Sequence, residues 1–183
     1  MHPVVDGISV IYGVGFSSNV YIISDRKRTF LIDCGLTKPR LKTAPAFVVL
    51  THGHIDHTRG VSGSWRTFIH EEELNYVHDS RIPNSLRKIF YIPKNAEKLA
   101  TPTFEFGDFE FEVVHTPGHT IGSVCLFEKT NRILFSGDTL FSDGECGRTD
   151  LGGDEGMMSN SLRKLSSLNY GLLCPGHGEI SEL

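Results

Sequence analysis

Three imidazoles and a carboxylate fall within the six residues His52-Gly53-His54-Ile55-Asp56-His57. Core packing has no use for such a cluster, because each of its polar atoms would need a partner once buried. Neutral imidazole nitrogens and carboxylate oxygens are the ligands that suit zinc and iron, so metal binding is the chemistry this stretch can do. The isolated His2, His70 and His78 have no such company and read as surface or packing residues.

Further polar residues stand at similar places in the chain. Apolar runs end in the HGHIDH stretch, in Thr116-Pro117-Gly118-His119, in Ser136-Gly137-Asp138 and in Cys174-Pro175-Gly176-His177. Ligand-type side chains are thus offered from four separated strand ends, which is how one site is assembled on the rim of a sheet sandwich.

The elements that must position them read as follows. Residues 8–12, 19–23 and 29–33 have strand composition, and Phe47-Val48-Val49-Leu50 is a buried strand that ends where the histidines begin. Gly53 is expected to supply a sharp backbone path that lets His52 and His54 converge, with Asp56 and His57 opening a short helix. A connector with Pro39 and Pro45 precedes that strand, and after the histidines come a strand at 67–69 and a helix over 71–79. Residues 80–100 fit either a flap over the site or a plain connector. Phe104 to Val114 alternate apolar and acidic residues around Gly107-Asp108, as a half-buried hairpin does. A strand pair at 121–127 and 132–135, a glycine-rich loop at 141–156, a helix with Leu162, Leu165 and Leu168 on one face, and a strand at 172–175 complete the reading.

The totals set the class. A chain of 183 residues, 39% hydrophobic, suits one core, and a single domain over 1–183 is expected. No run is apolar enough to span a bilayer, and residues 1–7, with neither a basic lead nor a following apolar block, give no expectation of a secretory signal. Cys34, Cys125, Cys146 and Cys174 form no CxxC pair, which fits a reducing compartment, so a cytoplasmic location is expected. With a net charge of −4 and no basic run longer than Arg26-Lys27-Arg28, neither nucleic acid nor membrane is an expected partner. A small-molecule substrate is; oligomeric state is left open.

On these four segments the chain resembles the metallo-β-lactamase-fold hydrolase superfamily over nearly its whole length. The HxHxDH signature is matched by His52, His54, Asp56 and His57, the later histidine by His119, the bridging acid by Asp138 and the last histidine by His177. The resemblance implies an α/β (α+β) fold: a four-layer αβ/βα sandwich of two mixed β-sheets face to face, with helices outside. It implies two divalent metal ions, zinc first and iron or manganese as alternatives. His52, His54 and His119 would hold one, Asp56, His57 and His177 the other, and Asp138 would bridge them. His115 would serve structure.

Within that superfamily, the Gly147-Arg148-Thr149-Asp150 loop resembles those of glyoxalase II-like thioesterases and of persulfide dioxygenases. Full-length glyoxalase II continues into a helical glutathione-binding domain that has no counterpart here, so the resemblance is to short, thioesterase-like members. The implied activity is hydrolysis of a thioester of the S-2-hydroxyacylglutathione type by metal-activated water. Asp56 would ligate and orient that water, and Arg148 would meet a substrate carboxylate or else form a structural ion pair. The alternative is a mononuclear-iron persulfide dioxygenase held by His52, His119 and Asp138; a nuclease of the same fold is a more distant one.

Overall fold

A computed structural model describes residues 1–79 and 83–183. The first sheet runs in chain order through β1 (His2–Val5), β2 (Ile8–Ile11), β3 (Val20–Asp25), β4 (Arg28–Ile32), β5 (Phe47–Val49), β6 (Thr67–Ile69) and β7 (Ala96–Lys98). The second contains β8 (Thr103–Phe106), β9 (Phe109–His115), β10 (Val124–Glu128), β11 (Ile133–Gly137), β12 (Leu172–Pro175) and β13 (Ser181–Glu182), in the order β13-β12-β11-β10-β9-β8. Both are mixed: β4 to β7 pair in parallel, as do β11 and β12, and the other pairs are antiparallel.

Strand alternation sends successive side chains to opposite faces, and both faces of each sheet are used. Tyr21, Ile23, Phe30, Ile32 and Val49 point inward and meet Phe106, Phe111, Leu126, Ile133 and Phe135 from the second sheet. Phe30 sits at the middle of this layer, edge-on to Phe104, Phe106 and Phe111 and stacked on Phe47. Each such ring contributes about 1.5–3 kcal/mol by leaving water. Val20, Ile22, Leu31, Val48 and Leu50 point the other way, against Trp65, Ile69 and the helix α2 (Glu71–His78) through Leu74. Val114, Cys125, Leu134 and Leu173 are covered by α4 (Glu155–Ser166) through Leu165. Three apolar layers between four structural layers are the expected αβ/βα sandwich.

The main strands and both longer helices stand where the sequence reading puts them, within a few residues. The helix expected around Leu162 begins two residues before Met157, because the Asp154 side chain caps it by accepting from Met157 N at 2.8 Å. The strand expected from Ile121 begins at Val124, since Thr120 to Ser123 close a turn in which Thr120 N donates to Ser123 Oγ. Strands β1, β7 and β13 were not expected; all three are short sheet edges, one carrying Pro3 and the others largely polar. Short helices α1 (Ile55–Thr58) and α3 (Asn84–Arg87) complete the set.

Of the stretch 80–100, residues 80–82 lie outside the described residues, as does the side chain of His78. The segment Ile89–Tyr91 is pinned along the histidine loop: Ile55 N donates to Ile89 O at 2.8 Å and Tyr91 N to Gly53 O at 2.9 Å. This stretch therefore flanks the site through its backbone and through the Phe90 ring, which lies 4.7 Å from that of His54.

Candidate metal centre

The topology brings the ligand-bearing ends to one rim. Strands β4 and β5 are parallel, and β9, β11 and β12 share a direction because β10 runs antiparallel to both β9 and β11. Asp33, His52, Asp138 and His177 follow the C-terminal ends of β4, β5, β11 and β12, while the His119 loop follows β9. Val124 N donates to Thr51 O at 2.9 Å and Asn19 N to Gly176 O at 2.7 Å, so the two sheets are tied together at this rim.

All seven candidate ligands converge. His52, His54 and His119 form one group in which the ligand atoms lie within 4.8 Å of one another; Asp56, His57 and His177 form a second, and Asp138 joins His52 and His57 in a third. His119 Nε2 lies 2.8 Å from His54 Nδ1, and His177 Nε2 lies 3.1 Å from Asp56 Oδ2. Asp138 stands between the groups, with Oδ1 at 3.2 Å from His57 Nε2 and Oδ2 at 3.5 Å from His119 Nε2.

Hydrogen bonds on the far side of each ring decide which nitrogen faces inward. His52 Nδ1 donates to Thr51 Oγ1, His54 Nε2 to the carbonyl of Leu151, His57 Nδ1 to Asp33 Oδ2 and His119 Nδ1 to the carbonyl of Arg148. In the His52, His54 and His119 rings the other nitrogen keeps its lone pair, directed into the site, while His57 Nε2 faces Asp138 Oδ1 at 3.2 Å. His52 Nε2 and Asp138 Oδ1 are buried without a hydrogen-bond partner, the latter despite its closeness to His57. Orphaned acceptors of this kind are costly unless something positive binds them, and this donor set fits divalent metal.

Ionisation points the same way for the first group of histidines. Burial first, and then repulsion from neighbouring imidazoles, holds His52 well below its usual range; burial and His119 bring His54 down to about 4, and burial lowers His119. These three are therefore neutral near pH 7, the form a metal requires. Burial opposes the charged form of His57 too, but Asp138 and Asp33 outweigh it and raise its pKa well above the ordinary value. Burial likewise works against the Asp138 and Asp56 carboxylates. The charge of His57 for the first and the His177 hydrogen bond for the second prevail, so both titrate lower than usual.

Two acids that were not anticipated hold this arrangement. Asp33 has the left-handed φ of 58° and accepts from Thr51 N at 2.8 Å, from Thr51 Oγ1 at 2.7 Å and from His57 Nδ1 at 2.7 Å. Such a backbone costs about 1–3 kcal/mol, retained where it aims a functional group. The sequence signal was an acid closing an apolar strand just before Cys34-Gly35. Glu73, fully buried on α2, accepts from Gly53 N at 2.7 Å and Gly122 N at 2.9 Å, and so clamps together the loops that carry His54 and His119. Burial pushes its pKa up to about 7 against those bonds.

One expectation changes in its physical reason, and for Arg148 the ion-pair alternative is the one observed. Gly53 does not adopt a left-handed turn; its lack of a side chain relieves crowding, because a Cβ would sit tightly at 3.0 Å from Glu73 Oε1 and 3.1 Å from the Phe90 ring. The Arg148 guanidinium is exposed in a two-bond pair with Asp150, and that loop acts on the site through the carbonyls of Arg148 and Leu151. His115 donates to or accepts at the site of no ligand: its Nε2 meets Ile121 O, and its ring stacks on His70, which caps α2. Cys34, Cys125 and Cys174 are buried and free, and Cys146 is half-exposed beside the site.

Comparison with known proteins gives the same family from independent directions. The sequence profile of the metallo-beta-lactamase superfamily matches residues 13–177. The probable metallo-hydrolase YqgX of Bacillus subtilis is 36% identical over 73% of this chain and 69% of its own length. An atrochrysone carboxyl ACP thioesterase of Aspergillus fumigatus is 31% identical over 90% of this chain, which spans about half (52%) of that longer protein. Among solved structures, the B3 metallo-beta-lactamase BLEG-1 superposes with a TM-score of 0.77 at 29% identity, covering 96% of this chain and 93% of that one. TTHA1623 in a di-iron-bound form gives 0.76 at 26% identity, covering 95% and 94%.

Proposed function

The chain belongs to the metallo-beta-lactamase superfamily, and from that premise we propose that it is a metal-dependent hydrolase of thioesters. The observation that carries the metal-dependent part is the pair of adjoining ligand groups, in the first of which outward hydrogen bonds leave the inward lone pairs of His52, His54 and His119 free. His52, His54 and His119 are assigned to one metal, Asp56, His57 and His177 to a second, and Asp138 to the position between them. Zinc, iron and manganese all suit these ligands, and availability decides among them. When bound, such ions bring the pKa of water toward 7 and polarise a carbonyl oxygen.

The chain's own residues then have defined tasks. Asp33, Thr51 and the two loop carbonyls fix the imidazole tautomers before any substrate arrives, so no reorganisation is needed during the reaction. Asp56, one carboxylate oxygen turned to His177 and partly open to the cleft, orients the attacking water. A thiolate leaves readily, which agrees with a site that offers no strong general acid beyond the ligands. The thioester class is supported by the thioesterase relative at 31% identity and by the Gly147-Arg148-Thr149-Asp150 loop. The presence of a second group, Asp56 with His57 and His177, favours a dinuclear hydrolase over a single-iron dioxygenase.

The test is metal content and thiol release on protein loaded separately with zinc and with iron. About two metals per chain, with thioester-dependent thiol release abolished together with metal binding in Asp138→Ala, is expected. One iron per chain with oxygen uptake on a persulfide would overturn the proposal.

A further inference from the structure

Beside the metal ligands lies an open cleft of about 500 Å³, within the range of small-molecule sites. Apart from the ligands and the half-exposed Cys146 thiol, its walls are mainly apolar: Phe16, Leu36, Ile55, Ile89, Phe141 and Leu151. Arg148, the cation on its edge, has its charge answered by Asp150. Phe16 is the unusual member. It is 88% exposed on the loop between β2 and β3, next to Val14 at 87%. That loop is firmly held at its base: Gly13 N donates to Asn19 Oδ1, Ser18 N to Asp56 O, and Leu36 N to Ser17 Oγ. An aromatic ring held in water by an anchored loop, at the lip of an apolar cleft, has no packing role in the chain itself, and such patches mark ligand contacts.

We propose that the cleft takes an uncharged, apolar acyl group, aliphatic or aryl, and that Phe16 is its specificity-determining residue. This rests on the thioesterase reading and narrows it away from small hydroxyacyl substrates, whose hydroxyl would meet on these walls, among the described residues and beyond the ligands, only the weakly hydrogen-bonding Cys146 thiol and the ion-paired Arg148. The reaction is balanced without a further reagent: water adds its oxygen to the carbonyl carbon, the C–S bond breaks, and a carboxylic acid and a thiol are released. The apolar acyl chain lies along the wall under Phe16, so its binding is realised before and during that step.

The experiment uses metal-loaded protein and N-acetylcysteamine thioesters of acetyl, lactoyl, hexanoyl and benzoyl groups, so that only the acyl part varies. Burial of the added methylenes is expected to raise kcat/KM for hexanoyl at least about tenfold over acetyl and lactoyl. Phe16→Ala is expected to cut that ratio at least about threefold, chiefly through KM for hexanoyl, and Phe16→Leu to restore part of it. Unchanged thermal unfolding will separate this from a folding defect, since the ring is exposed. Equal rates across the panel, a preference for lactoyl, or a ratio indifferent to Phe16 would overturn the acyl proposal alone. No cleavage of any thioester would overturn the thioesterase reading, and the acyl assignment with it.

Discussion

The two sheets build the centre in different ways. The first supplies His52, His54, Asp56 and His57 from one continuous segment after β5, the last two on α1, backed by Asp33 at the end of the neighbouring strand. The second supplies His119, Asp138 and His177 from three loops that are far apart in the chain and meet because β9, β11 and β12 end at the same rim. A local cluster is robust to small shifts of the sheets, whereas a distributed one depends on their register. Residues that tie the two halves together, Asp138 among them, should therefore matter most.

The largest effect is expected at Asp138. It faces His57 from the first half and His119 and His177 from the second, so Asp138→Ala should lose metal and turnover together, while His54→Ala should lower metal content without emptying the site. Metal analysis of both variants decides this, and equal residual loading would break the comparison. Asp33→Ala comes next: it frees His57 Nδ1 and Thr51 from their shared acceptor, and loss of such a partner costs about 10–100-fold in metal affinity. Chelator competition should register the drop.

Glu73 sharpens the comparison from the other side, because it joins the two halves without touching substrate. Glu73→Ala leaves the Gly53 and Gly122 N–H groups buried and unpaired, a cost of about 1–3 kcal/mol each, visible as a lower unfolding midpoint. The pH sign also follows. A carboxyl raised to about 7 from its ordinary 4.5 keeps a proton that the unfolded chain releases. Its contribution is thus fully present below pH 4.5 and is lost as pH rises through about 7. Glu73→Gln should flatten that part of the stability profile. The smallest effect is expected at Arg148: its charge is spent on exposed Asp150, and the working group is its backbone carbonyl, so Arg148→Ala should change kcat/KM less than about twofold. A larger loss, confined to carboxylate-bearing substrates, would restore a substrate role for the side chain.

The same contrast explains how much was legible in the chain. The strand endings in HGHIDH, TPGH, SGD and CPGH carry their ligands on their face, because residue type and position after an apolar run are local properties. Edge strands β1, β7 and β13 were not legible, since a short polar segment becomes a strand only when a neighbour offers it a ladder. Phe16 could not be told from an ordinary loop residue until the cleft beneath it was in place.

By itself, then, the sequence marked the candidate ligands, because imidazoles and carboxylates act through type and spacing, and its resemblance to a known family implied the sandwich that presents them. Only the tertiary structure decided which nitrogen of each histidine faces inward, that Asp33 and Glu73 hold the ligand loops, and that Arg148 contributes a carbonyl. Those roles depend on partners distant along the chain, such as Gly122 for Glu73 and Leu151 for His54, and hydrogen bonds between distant residues are set by packing, which no local pattern records.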